Sequence, residues 1–173
     1  MPAQSNTETV VSVEEYLRTP YSPDCDYEDG VVMERNVGEL PHSWLQGALV
    51  AYLFRRRKVW NITSLPEQRF RVRERKYMVP DVCVLQGPKP EQRVLTTPPL
   101  LWIEILSSED RPIRITRKVN DALSFGTPNV WVIDPDTLES YVATPTQQIE
   151  LPDGVLKIAG TEIIIPLREL EAD

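Results

Sequence analysis

The sequence predicts an α/β or α+β fold, a mixed β-sheet with helices packed on both faces. Three observations lead there. Short apolar runs of β-type composition recur: "VPDVCVL" at 79–85, "LLWIEIL" at 100–106 and "NVWVIDP" at 129–135. Two longer segments place apolar residues at helical spacing, Leu45, Leu49 and Tyr52/Leu53 in the first and Ile115, Val119, Ala122 and Leu123 in the second. The order strand–strand–strand–helix–strand is that of a mixed sheet with flanking helices. At 173 residues the chain is long enough to bury a real core, and one domain over 12–171 is expected after a flexible 1–11.

The elements follow in order. "SVEEYLRTP" is a short helix that Pro20 follows, and "YSPDCDYEDGVVMERN" is a turn-rich stretch leading to one strand near 30–35, opened by Gly30. "PHSWLQGALVAYLFRRR" is the first substantial helix, with Pro41 suited to its first turn. Strands are expected at 59–64, 68–76 and 79–85, the second of them unbroken. "QGPKPEQRVLTTPP" is a Pro-rich surface connection. "RPIRITRKVNDALSF" is a second helix with Pro112 at its start and Gly126 as C-cap. After the strand closed by Asp134-Pro135, "LESYVAT", "QQIEL", "VLKIA" and "EIIIPL" form a C-terminal β-meander, and "LREL" a final turn.

No apolar run approaches the roughly 18 residues of a membrane span. The N-terminus lacks a charged and apolar leader pattern, so no membrane partner is expected. Two cysteines, Cys25 and Cys83, make no disulfide framework, and Cys83 reads as a small buried thiol between Val82 and Val84; a cytoplasmic location is expected. The net charge of −7 is unevenly spread. Residues 1–39 and 134–173 each hold nine acidic and two basic side chains, whereas 40–133 holds fifteen basic and eight acidic. The basic residues gather in "RRRK" 55–58, "RFRVRERK" 69–76 and "RPIRITRK" 111–118. A basic centre between acidic ends can offer a phosphate-binding face, or it can be a set of solvated element faces.

Two of the core strands each carry one carboxylate, Asp81 and Glu104. A buried ionised acid needs a cation, a metal or a proton. On neighbouring strands the two can converge at one end of the sheet, where a divalent ion between them would relieve their repulsion. Oxygen ligands select Mg²⁺ or Mn²⁺. Lys118, fourteen positions after Glu104, flanks the second helix's apolar stripe and can point back at the sheet. Asp, Glu and Lys around a hard cation suit phosphodiester hydrolysis; a structural salt bridge from Glu104 to Lys118 or to an arginine explains the same residues. Relief of repulsion would make Asp81→Asn modestly stabilising in the metal-free protein.

"VPDVCVL", "LWIEILSSEDR" and "RKVNDALSFGTPNVWVIDP" together resemble the Uma-two-type restriction endonuclease family of the PD-(D/E)XK nuclease superfamily, as do "DYEDGVVMERNVGELPHSWLQGAL" upstream and "DGVLKIAGTEIIIPLREL" downstream. The resemblance implies a restriction-endonuclease-like fold and a metal-dependent DNA endonuclease. Asp81 and Glu104 would bind Mg²⁺ or Mn²⁺, with the Ile105 backbone carbonyl as a third oxygen. The superfamily's lysine two residues after the glutamate is Leu106 here, and its place is taken by Lys118 on the following helix. Asp26 and Glu34 stand near the family's upstream acid, and His42 at its helix-start histidine. Each also has a structural explanation: a turn acid, a solvent-facing strand residue, a helix-terminal histidine.

Arg69, Arg71, Arg73 and Arg75 alternate strictly, so on an unbroken strand all four would share a face and could track a phosphate backbone, or merely keep a strand edge soluble. Trp102 and Trp131 are assigned to packing. DNA is thus the expected partner, and a homodimer is the arrangement that cutting both strands would favour. The alternative is a non-catalytic DNA-binding or structural module that keeps the nuclease fold, which the displaced lysine and acidic overall charge would suit.

Overall fold

The structure, a computed structural model, describes residues 10–36 and 38–170. The expected flexible stretch 1–11 lies mostly outside them. Its last residue is docked: the Val11 amide donates to the Gly30 carbonyl at 2.9 Å, and the Tyr27 hydroxyl to the Val11 carbonyl at 2.9 Å.

Helix α1 (Val13–Arg18) starts where Ser12 Oγ accepts from the Glu15 amide at 3.1 Å, and carries Glu14 and Glu15 at its positive end. The single strand expected near 30–35 is instead the second half of a hairpin, β1 (Asp26–Glu28) and β2 (Val31–Met33). Its two-residue turn, Asp29-Gly30, has positive φ at both positions (49° and 100°), the conformation Asp-Gly favours. Helix α2 (Leu40–Arg56) follows, with Pro41 in its first turn.

Strand β3 (Ile62–Pro66) begins later than expected, because residues 57–61 close the end of α2 in turns. The strand expected over 68–76 is broken. It forms β4 (Phe70–Arg73) and β5 (Lys76–Met78), folded back on each other at Glu74-Arg75, with a register shift between Arg71 and Arg73. Then come β6 (Val82–Gln86), β7 (Leu101–Ile105), α3 (Pro112–Phe125), β8 (Val130–Ile133), β9 (Ser140–Ala143), β10 (Gln148–Glu150), β11 (Val155–Lys157), β12 (Ile164–Pro166) and a 3₁₀ turn, Leu167–Glu169. Gly126 ends α3 at φ 111°, a left-handed cap at which its amide reaches back to the Ala122 and Leu123 carbonyls.

Six strands form the central sheet in the order β10-β9-β8-β7-β6-β3. The β7–β8 pair is parallel, since α3 provides the crossover, and the other pairs in that sheet are antiparallel. A second antiparallel sheet has the order β2-β1-β5-β4. The expected C-terminal meander is divided: β9 and β10 extend the central sheet, while β11 and β12 make a separate ribbon.

Alternation along β7 sorts the core. Leu101, Ile103 and Ile105 join Leu45, Leu49 and Leu53 of α2 on one face, and Leu156 and Ile165 of the ribbon close that layer. Trp102 points to the other face with Ile115, Val119 and Ala122 of α3. Helices therefore cover both faces, as the segment order implies. Trp131 lies in the α2 layer and is fully buried, and burial pushes the Cys83 thiol up to about 12, so it stays a protonated apolar filler. No helix among the described residues is long and apolar enough to cross a membrane.

Candidate active site

Register brings the two acids together. Val82 pairs with Ile103, so one step earlier Asp81 stands opposite Glu104, and both share the face of Cys83 and Trp102. Like charges directly opposite on a sheet are destabilising, and both residues are buried, at 4% and 3% exposure. Cations from three other segments answer them. Lys118 of α3 donates to Glu104 Oε2 at 2.7 Å, and Arg35, just after β2, bonds Asp81 Oδ1. His42 Nε2, in the first turn of α2, lies 3.4 Å from the same oxygen. Trp102 Nε1 donates to Glu104 Oε1 at 2.7 Å, and the Ile105 amide to Asp81 Oδ2 at 2.7 Å.

Around them is a small cleft of about 30 Å³, lined also by Asn36, Ser107, Asp110 and Arg114. Asn36 Nδ2 ties this rim together, donating to Ser107 Oγ at 2.9 Å and Asp110 Oδ1 at 2.8 Å. Gln46, one turn after His42 on α2, donates to the Asp81 carbonyl at 2.9 Å. Among the residues expected from sequence, Asp81, Glu104, Ile105, Lys118 and His42 thus come to one cleft. Asp26 reaches its border: its carboxylate accepts from the Val79 amide at 2.8 Å and lies 4.0 Å from Lys118 Nζ. Glu34 does not reach it; its side chain is exposed and its carbonyl accepts from Arg114 at 2.6 Å.

The arginine row is not one face. Arg69 precedes β4 and is bonded to Asp24, Arg73 donates to Glu28 at 2.6 Å, and Arg75 sits in the turn 3.4 Å from Asp29. Arg71 is exposed. The third basic cluster instead borders the cleft, through Arg114 and Lys118 on α3. Sequence reasoning missed Arg35, Gln46 and the polar role of Trp102. Gln46 had a readable signal, a polar residue one helical turn beyond His42 on the same face.

The cleft sets three carboxylates, Asp81, Glu104 and Asp110, against Arg35, Arg114, Lys118 and His42, and each side shifts the other. Burial alone would raise the Asp81 carboxyl, but the His42 hydrogen bond and the Arg35 and Lys118 charges hold it below its usual range. For Glu104, burial dominates and, with Asp81 opposite, pushes the carboxyl up against the pull of Lys118 and Trp102. Burial opposes the Lys118 ammonium, yet Glu104, Asp26 and Asp81 outweigh it and raise its pKa. Glu104 therefore favours an added positive charge, which a proton or a cation can supply, while Lys118 keeps its ammonium.

A hard cation fits this donor set, in one particular way. Each ionised carboxylate offers about four lone-pair directions. Arg35, His42 and the Ile105 amide occupy three on Asp81, and Trp102 and Lys118 two on Glu104. Among the described residues no group of three or more His, Cys, Asp or Glu is placed to cage an ion. What remains suits an ion held by two carboxylates with water completing its shell, the usual habit of Mg²⁺.

His42 offers a direct check. Burial opposes its charged form, but Asp81 outweighs this and raises its pKa. It is the protein's sole histidine, so its proton resonances are expected to titrate as one curve with a midpoint above about 6.5 in chelator. The sign for stability follows: His42 stabilises the fold fully below about pH 6.5, and the contribution fades as pH rises through the folded midpoint. In Asp81→Asn the midpoint should fall, since only the Asp110 charge then opposes burial and Arg35. A midpoint at or under the ordinary value in wild type would show that Asp81 does not hold an imidazolium.

This architecture, a mixed sheet with paired acids and a lysine at one end of its parallel strand pair, defines a restriction-endonuclease-like fold. The chain belongs to the Uma2 family, described as "Putative restriction endonuclease", whose model matches residues 13–166. Among solved structures it is similar to a putative nuclease belonging to DUF820 from Anabaena variabilis, with a TM-score of 0.77 and 24% identity over 94% of this chain and 98% of that one. That likeness speaks for the fold. A search of curated proteins finds no match.

Proposed function

We propose that this protein is a divalent-metal-dependent nuclease that hydrolyses DNA phosphodiester bonds at the Asp81–Glu104 cleft. The observation that supports it best is the meeting of Asp81, Glu104 and Lys118, from three different elements, in one small polar cleft. Asp81 and Glu104 would hold Mg²⁺ or Mn²⁺, with the Ile105 carbonyl as a third oxygen. When bound, the ion supplies a polarised phosphate and a water of lowered pKa.

The chain's own groups have separable tasks. Lys118, its pKa raised, stays an ammonium; it donates hydrogen bonds to the attacking water or to the charge developing on phosphate oxygen and does not act as a base. His42 and Gln46 orient Asp81 from α2. Asp26 adds a second acid beside Lys118. Arg35 Nη1 is buried and makes no hydrogen bond, with only the exposed Glu67 carboxylate 3.6 Å away, so it would be available to a phosphate oxygen. Arg111, Arg114 and Arg117 on and before α3 would hold flanking phosphates, the last two by leaving Glu34 and Glu28, and exposed Arg71 would help from β4. A two-fold homodimer would present two such clefts to two strands.

A second reading, a DNA-binding module without catalysis, draws on one observation: Arg35 already neutralises Asp81. Cleavage assays decide between them. Wild type with Mg²⁺ or Mn²⁺ should nick supercoiled plasmid, and Glu104→Gln, which keeps the shape and the Trp102 contact, should lose about a hundredfold or more. DNA that is bound but never cut with either ion would favour the module.

A further inference from the structure

Beside the cleft, and sharing Arg114 and Lys118 with it, lies a cavity of about 630 Å³ between the β1–β2–β5 edge and α3. The nuclease reading leaves it unused. Its size is that of a small-molecule site, roughly 300–1,000 Å³, and some twenty times that of the cleft. Its apolar surface comes from Met33, Met78 and Ile113. Its charges are balanced, four carboxylates against four cations. Several already satisfy one another: Lys76, its side chain 4% exposed, bonds Glu28 and Asp121, and Arg117 reaches Glu28 at 2.8 Å.

Such walls suit a neutral, flat occupant with a polar edge. A phosphate would find no net positive field, and an aliphatic chain would leave the charged rim unmatched. The Met33 thioether offers a soft surface to a π-face, over a floor that buried Met78 closes. Ile113, in the first turn of α3, is 80% exposed, a large aliphatic at the mouth with nothing over it. Because Lys118 lines both spaces, a strand whose phosphate lies in the cleft has its adjoining base next to this cavity.

We propose that the cavity receives one unstacked nucleobase of the strand being cut, so that DNA with unpaired nucleotides is the preferred substrate. The proposal rests on the nuclease reading for where the phosphate lies. Extruding a base costs least where it is already unpaired, which is the source of the preference. Ile113 and Met33 provide the contact face, and the exposed Glu34 carboxylate on the rim accepts from the base's N–H edge.

Binding in chelator tests this without catalysis. Fluorescence anisotropy would compare a paired duplex, the same duplex with a one-nucleotide bulge, and the single strand; 2-aminopurine at the bulge reports its environment. Wild type is expected to bind the bulged and single-stranded DNAs about tenfold more tightly than the duplex. Ile113→Ala should bring that ratio near one, and Ile113→Glu should do so too by placing a charge in the mouth; a surface position makes either variant safe for folding. Val59→Ala, at an aliphatic 76% exposed beyond α2, should keep the wild-type ratio. Equal affinities in wild type, or a ratio untouched by both Ile113 variants, would overturn the proposal. Cleavage without selectivity removes the base pocket and keeps the nuclease; selectivity without cleavage does the reverse.

Discussion

Lys118→Ala is expected to lower divalent-dependent DNA cleavage by about a hundred- to a thousandfold, the loss typical of one charge-stabilising donor. Metal affinity, read by calorimetry on folded protein, should stay near wild type, because an ammonium is not a ligand to a hard cation. The structure adds a complication, since the substitution leaves Glu104, 4% exposed, with only Trp102 as partner. Breaking a buried pair costs about 3–5 kcal/mol, an effect a protonated Glu104 would soften. Lys118→Gln is therefore the decisive companion. Its amide can still donate to Glu104 and hold the fold, but it carries no charge and should cleave as poorly as the alanine variant. Lys118→Arg should restore activity only in part, because a planar guanidinium does not replace a compact ammonium. Arg117→Ala, at a side chain 67% exposed, should reduce DNA affinity at most. Wild-type cleavage by Lys118→Gln would end the assignment.

The second large effect concerns stability, and here the structure reverses the sequence-based expectation. From sequence, Asp81→Asn relieves repulsion and stabilises the metal-free protein. In the fold Asp81 is the counter-ion of Arg35, with side chains 5% and 8% exposed. Removing the anion leaves the buried guanidinium with only the half-exposed Glu67 at 3.6 Å, and a loss of about 3 kcal/mol is expected, at the low end for such pairs because Glu67 remains and asparagine can still accept from the Ile105 amide. Arg35→Met combined with Asp81→Asn should recover most of the loss, since an apolar replacement for a whole pair is often near neutral. Denaturant melts in chelator measure all three variants. A more stable Asp81→Asn would mean that repulsion from Glu104 outweighs the Arg35 pair. The same geometry predicts that Arg35 and a metal ion compete for Asp81 Oδ1, so Mg²⁺ should bind Arg35→Met more tightly than wild type.

Local pattern made much of the architecture legible. Pro41, Pro112 and Gly126 mark helix ends through backbone geometry that each residue imposes by itself, and α2 and α3 lie where their 3.6-residue stripes put them. Lys118 could be named beside Glu104 because it flanks the α3 stripe that packs on the sheet. The failures have a common form. Residues 68–76 alternate as cleanly as a true strand, yet Glu74-Arg75 turns without Gly, Pro or Asn to announce it. Asp29-Gly30 did announce a turn, but β1 is three residues long, too short to show a period.

What the sequence by itself determined is the two long helices, most of the central strands and which of those segments carry an acid or a lysine, because each depends on residues within a few turns of one another. What only the tertiary structure decided is how those acids are neutralised. Arg35 meets Asp81 across 46 positions, His42 enters from another helix, and a one-residue shift in the β6–β7 register would have turned Asp81 away from Glu104. The tertiary structure also turned an even row of arginines into separate ion pairs, and opened beside Lys118 a cavity whose walls come from β1, β2, β5 and α3. Hydrophobic periodicity is written along the chain, whereas the pairing of a buried charge depends on which distant segment arrives within about 4 Å, and no local pattern encodes that distance.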